Sequence, residues 1–99
     1  MDFGFFKGLP YEGSTENFDD YKRFKNDIPK DKVIEHINSV ELGLTTLPSK
    51  DFFTGEELHA GMFWDGDFTF PYEFLHYYKN YDIGIPPEYE EYLKSIGVG

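Results

Sequence analysis

Leu58-His59-Ala60-Gly61-Met62-Phe63-Trp64-Asp65-Gly66-Asp67-Phe68-Thr69-Phe70-Pro71 is the stretch that decides the fold. Leu58, Ala60, Met62 and Trp64 recur at every second position, the period of a strand. Asp65-Gly66 then separates this run from Asp67-Phe68-Thr69-Phe70. An Asp-Gly pair between two such runs signals a tight hairpin, because its primed turn needs positive φ at both central residues. Pro71 starts a helix, since its ring fixes φ near the helical value and it leaves no N–H unpaired.

Downstream, Phe74, Leu75, Tyr78 and Tyr81 share one face of that helix, which ends between Asn80 and Gly84. Ile85-Pro86-Pro87 is a rigid connector. A last helix opens at Glu88 with Tyr89, Tyr92, Leu93 and Ile96 on one face. Its early acids and late Lys94 complement the helix dipole, and Gly97 is a suitable stop.

Upstream, Pro29 opens a helix whose Val33, Ile34, Ile37 and Val40 make an apolar stripe, ending near Ser39 to Glu41. Leu42 to Leu47 then reads as a strand stopped by Pro48, and Thr54-Gly55 as a turn. Residues 1–28 are irregular, broken by Gly4, Gly8, Pro10 and Gly13, with a short helix around Glu16–Lys25. Their Phe residues suit an arm that wraps the core better than a disordered tail. The expected class is α+β, a small antiparallel β-sheet packed with about three short helices in a single domain, 1–99.

Charge bounds the function. Residues 1–50 hold nine acids and seven bases, whereas residues 51–99 hold ten acids and two bases. The acidic half also carries most of the aromatics. Such a surface repels nucleic acid and anionic membranes, and it attracts a basic protein, for which aromatics supply anchors. There is no cysteine, so disulfides, thiolate metal sites and a cysteine nucleophile are excluded. With no secretion-signal pattern and no apolar run near the roughly 20 residues of a membrane span, the expected location is the cytoplasm.

Motifs for chemistry are weak. His36, His59 and His76 lie apart, and only His76 has a helical neighbour, Glu73, at i−3. None sits at metal-ligand spacing, so no metal or cofactor is expected. Asp65-Gly66-Asp67 lacks the ligand order and terminal glutamate of a calcium loop. No nucleophile elbow or phosphate-cradling glycine loop occurs, and one arginine, Arg23, leaves little to hold an anionic substrate.

Thr54-Gly55-Glu56-Glu57, the run from Trp64 to Pro71 and the run from Tyr77 to Tyr89 together resemble a group of small bacterial immunity proteins. Those proteins accompany secreted polymorphic or contact-dependent growth-inhibition toxins. The likeness spans roughly residues 50–95 and rests on turns and aromatic core positions. It implies a cytoplasmic protein, not an enzyme, that occludes the active site of a cognate basic toxin, with a nuclease the natural candidate. The chain would act as a monomer or weak dimer.

The contact residues expected on this reading are Glu56, Glu57, Asp65, Asp67, Glu73, Tyr77 and Asp82, around the hairpin tips and the second helix. Tyr72 and Tyr77, off the apolar face, would join the acids. Two alternatives stand beside it. One is a small enzyme or ligand-binding domain with an aromatic pocket and His76 or His59. The other is an acidic accessory or nucleic-acid mimic with a different basic partner.

Overall fold

Seven glycines adopt positive φ, and Gly66 is the one that closes the central hairpin. The computed structural model describes all 99 residues. A 3₁₀ turn, Phe18–Arg23, precedes helix α1, Lys30–Ile37; then come strands β1, Glu41–Lys50, β2, Glu57–Asp65, and β3, Phe68–Pro71. Helices α2, Tyr72–Asn80, and α3, Pro87–Ser95, complete the chain. The strands form one antiparallel sheet in the order β1-β2-β3. The fold class is therefore α+β, with a small sheet beside short helices.

The β2–β3 loop consists of Gly66 and Asp67, one residue later than the Asp-Gly reading places it, because Asp65 still pairs with Phe68. Gly66 has φ 58° and no non-glycine residue has positive φ. That is the pattern of a II′ loop, which needs glycine only at its first central position.

One further expectation is corrected. Pro48 does not stop β1, which runs on to Lys50. Thr45 faces Ala60 and Ser49 faces Leu58, so Thr46, Leu47 and Pro48 bulge opposite His59 alone. Proline is tolerated there because β1 is an edge strand and the bulge already interrupts the ladder. In β2, Phe63 and Asp65 are buried, whereas Trp64, on the alternate face, is 47 % exposed.

Aromatic rings fill the core. Phe3 stacks on Phe70 at 4.7 Å and meets Phe74 edge-on at 5.2 Å. Phe6 lies edge-on to Tyr21 and Tyr77. These contacts bind residues 1–28 to the sheet and α2; Phe3, Phe6, Leu9, Tyr21 and Ile28 all belong to the core. The arm also covers the β3 edge. The Phe3 amide donates to the Thr69 carbonyl and the Thr69 amide to the Met1 carbonyl. Tyr11 covers the adjoining part of β2, where its hydroxyl accepts from the Gly61 amide at 2.8 Å and lies 3.0 Å from the Gly61 carbonyl.

Buried carboxylates are satisfied. Glu73 accepts from Tyr11 and Ser49 at 2.7 and 2.8 Å. Glu90 accepts from the amides of Asp27 and Ile28 just ahead of α1. Asp65 gathers His36, Tyr89 and Tyr92.

Burial raises the Tyr77 and Tyr78 hydroxyls to about 12. It raises those of Tyr11, Tyr21 and Tyr89 further, with added push from Glu73, Glu16 and Asp65 respectively. An unfolded chain would release these protons near pH ~10 while the folded one keeps them. Stability is thus complete below about pH 10 and falls as pH climbs toward the folded values. In an alkaline titration, tyrosinate absorbance from these residues should rise together with loss of the fold. Gradual ionisation centred near pH ~10 with the fold intact would contradict this.

Candidate partner-binding site

The β1–β2 connection, residues 51–56, is built around one buried carboxylate. Asp51 is 3 % exposed. Its Oδ1 accepts from the amides of Phe53 at 2.7 Å and Thr54 at 3.0 Å, the local turn for which Asp is suited. Tyr81 donates its hydroxyl to the same carboxylate at 2.9 Å, and His76 Nε2 lies 2.7 Å from Oδ2. Burial pushes this carboxyl up, but the hydrogen bonds from His76, the two amides and Tyr81 outweigh it and hold its pKa below the ordinary carboxylate range. The loop closes with the Asp51 amide on the Glu56 carbonyl and the Gly55 amide on the Asp51 carbonyl, Gly55 having φ 74°.

With its backbone held inward, the loop turns two rings outward. Phe52 is 38 % exposed and Phe53 is 59 % exposed. Neither is loose. Phe52 stacks on Tyr77 at 5.1 Å, and its amide donates to the Tyr77 hydroxyl. Its ring also lies against Gly8, where an added Cβ would sit 2.8 Å from it. Phe53 meets Phe18 at 5.2 Å and Tyr81 at 5.0 Å. Tyr77, Tyr81 and Phe18 thus form a rigid bed beneath the two exposed rings.

Acids surround them. Asn17, Phe18, Asp19 and Asp20 line a hollow of about 370 Å³ with Phe52 and Phe53. Glu56 and Glu57, both exposed, follow on the far side of the loop. Asp19 and Asp20 pair with Lys22 and Arg23 at 2.9 and 2.8 Å. These are exposed i,i+3 pairs, worth little and easily exchanged for a partner's cations. Beside the loop, a groove of about 380 Å³ runs between the start of β2 and α2, lined by Glu56, Glu57, His59, His76 and Lys79 among others.

The expected contact residues divide. Glu56 and Glu57 lie at this end of the molecule. Asp67 is exposed at the opposite end of β2, roughly 26 Å away at ~3.3 Å per residue. Asp82 is exposed beside α1, lining a different hollow with Lys25 and Lys30. Asp65, Glu73 and Tyr77 are 8 %, 1 % and 0 % exposed and cannot meet a partner in this conformation. The first two are captured by long-range hydrogen bonds, and Tyr77 is buried because the arm's Phe6 and Phe18 cover the side of α2 that helical periodicity leaves open. Tyr72 packs half-buried against Phe63.

Sequence reasoning passed over Asp19, Asp20, Phe52 and Phe53. The usable signal was Asp51-Phe52-Phe53-Thr54-Gly55, an Asp-led turn with adjacent aromatics at its tip. No group of three or more His, Asp or Glu is placed to hold a metal ion. No helix is long and apolar enough to cross a membrane. No protein-family model, curated protein or solved structure matches the chain.

Proposed function

We propose that this chain is a cytoplasmic immunity protein that captures a basic toxin domain, a nuclease being the best fit, and blocks its active site without chemistry of its own. One observation carries the reading: two exposed rings held by buried groups and bordered by Asp19, Asp20, Glu56 and Glu57. A rigid aromatic anchor inside a polar rim is the usual build of a protein-binding hot spot. The formal charge of −10 adds long-range attraction toward a cationic surface such as one that grips phosphate. Preorganisation matters as well, since a loop already fixed by Asp51 gives up little entropy on binding.

Charge reversal tests it. Glu56→Lys with Glu57→Lys should slow association with a basic toxin domain of the proposed kind by at least about tenfold at low salt, and flatten the salt dependence. Unchanged association rates would remove these acids from the encounter surface.

A second reading has one observation in its favour. His76 and Asp51 form a His–Asp pair at 2.7 Å beside the groove along α2. A ligand-binding or enzymatic role would use that groove. Small-molecule binding that is lost in His76→Gln, with toxin capture unaffected, would favour it.

A further inference from the structure

We infer that β1 is a self-pairing strand, and that two copies of the chain join antiparallel along it about a two-fold axis at Gly43. The sheet has two edges, and they are treated differently. The N-terminal arm covers β3, but no element lies on the outer side of β1.

The direction of the free main-chain groups follows from the register. Asp65 and Phe68 close a two-residue hairpin, so the odd-numbered residues of β2 point toward β3 and the even-numbered ones toward β1. Gly61, whose amide and carbonyl meet Tyr11 on that side, obeys the same alternation. Glu41, Gly43 and Thr45 stand opposite Trp64, Met62 and Ala60, and therefore point into the sheet. Leu42 and Leu44 point their N–H and C=O groups outward.

Those outward groups repeat symmetrically about Gly43. Pairing Leu42 with Leu44 of a second copy satisfies all of them in two hydrogen-bonded pairs, with Gly43 facing Gly43 between them at ~4.5 Å. Both faces of the joint are then filled. On one, Leu42 and Leu44, 38 % and 61 % exposed, become leucine neighbours across the seam. On the other, the Trp64 ring lies over Gly43, where an added Cβ would sit 2.8 Å from it. Two such rings meet over two side-chain-free residues.

Charge selects the occupant. Leu42 to Ser49 holds no charged residue in a chain of net −10. The strip is the surface on which a second acidic copy meets least repulsion, and the register sets Glu41 beside Thr45 rather than beside another Glu41. Added salt therefore strengthens this contact by screening the two molecules, whereas it weakens capture of a cationic partner.

Sedimentation equilibrium of the purified chain across concentration and salt tests the pairing without any toxin. The average mass should rise from 11.6 kDa toward twice that value, more readily in high salt, while emission from Trp64, the one tryptophan, shifts to the blue. Leu44→Lys should weaken association by at least about tenfold. Leu44→Pro, which removes only an outward N–H, should do the same with far-UV dichroism unchanged. A wild-type chain that stays at 11.6 kDa, or self-association that persists in both variants, would overturn the proposal.

Discussion

Asp51→Ala is expected to lower the unfolding free energy by about 3 kcal/mol, because hydrogen bonds to a carboxylate contribute roughly 1.5–3 kcal/mol each and several are lost together. Two of its donors, the Phe53 and Thr54 amides, can turn to water. Tyr81 and His76 are only part-exposed and are left short of a partner. The exposed rings lose their footing at the same time, so partner affinity should fall with stability. Asp51→Asn keeps the volume and one acceptor, and should cost about half as much.

Acid separates the two variants from wild type. Asp51 is held below its unfolded pKa, so its contribution is present above pH ~3.9 and disappears as pH falls through the lower folded value. Urea unfolding at neutral pH and in acid checks this. The gap between wild type and Asp51→Asn should be full at neutral pH and shrink below pH ~3.9. A constant gap would mean that the carboxylate charge does not matter.

Phe53→Ala should do the reverse, sparing the fold and damaging binding. Its ring is 59 % exposed, and surface changes of that kind usually alter stability by about 0.5 kcal/mol. At the centre of a protein contact, an aromatic anchor is worth about 2 kcal/mol or more, roughly thirty-fold in affinity. Calorimetric titration against the toxin domain, paired with a denaturant curve, measures both. A large loss of stability with intact affinity would make Phe53 a core residue instead.

The residues best read from sequence are those whose signals are local. Gly66 marks the hairpin, Pro29 stands just before α1, and the stripe of Val33 and Ile37 faces the core as its spacing implies. The hairpin phase slipped by one because Asp65 looks like a turn residue. It is kept in the strand by His36, Tyr89 and Tyr92, whose contacts span 24 to 29 positions. Pro48 misled for a similar reason, since only the sheet order reveals that β1 is an edge.

The candidate site was legible in its charge and poorly legible in its position. Composition pointed to acids with rings, which is what surrounds the β1–β2 loop. Yet Glu73 and Tyr77 read as surface groups until the arm folds over α2, and nothing in their spacing singles out Phe52 and Phe53 until Asp51 turns their backbone inward. Burial of that kind is decided by residues far away in sequence, and helical periodicity carries no record of it.

Hydrogen exchange of the chain, alone and mixed with a basic toxin domain of the proposed kind, tests the central claim most directly. The account predicts a complex in which amides of residues 52–57 and of Asp19 and Asp20 slow markedly, while those near Asp67 and Asp82 exchange as before. A complex that protects the Asp67 or Asp82 surfaces and leaves the Phe52–Phe53 loop unprotected would contradict it, as would the absence of any complex.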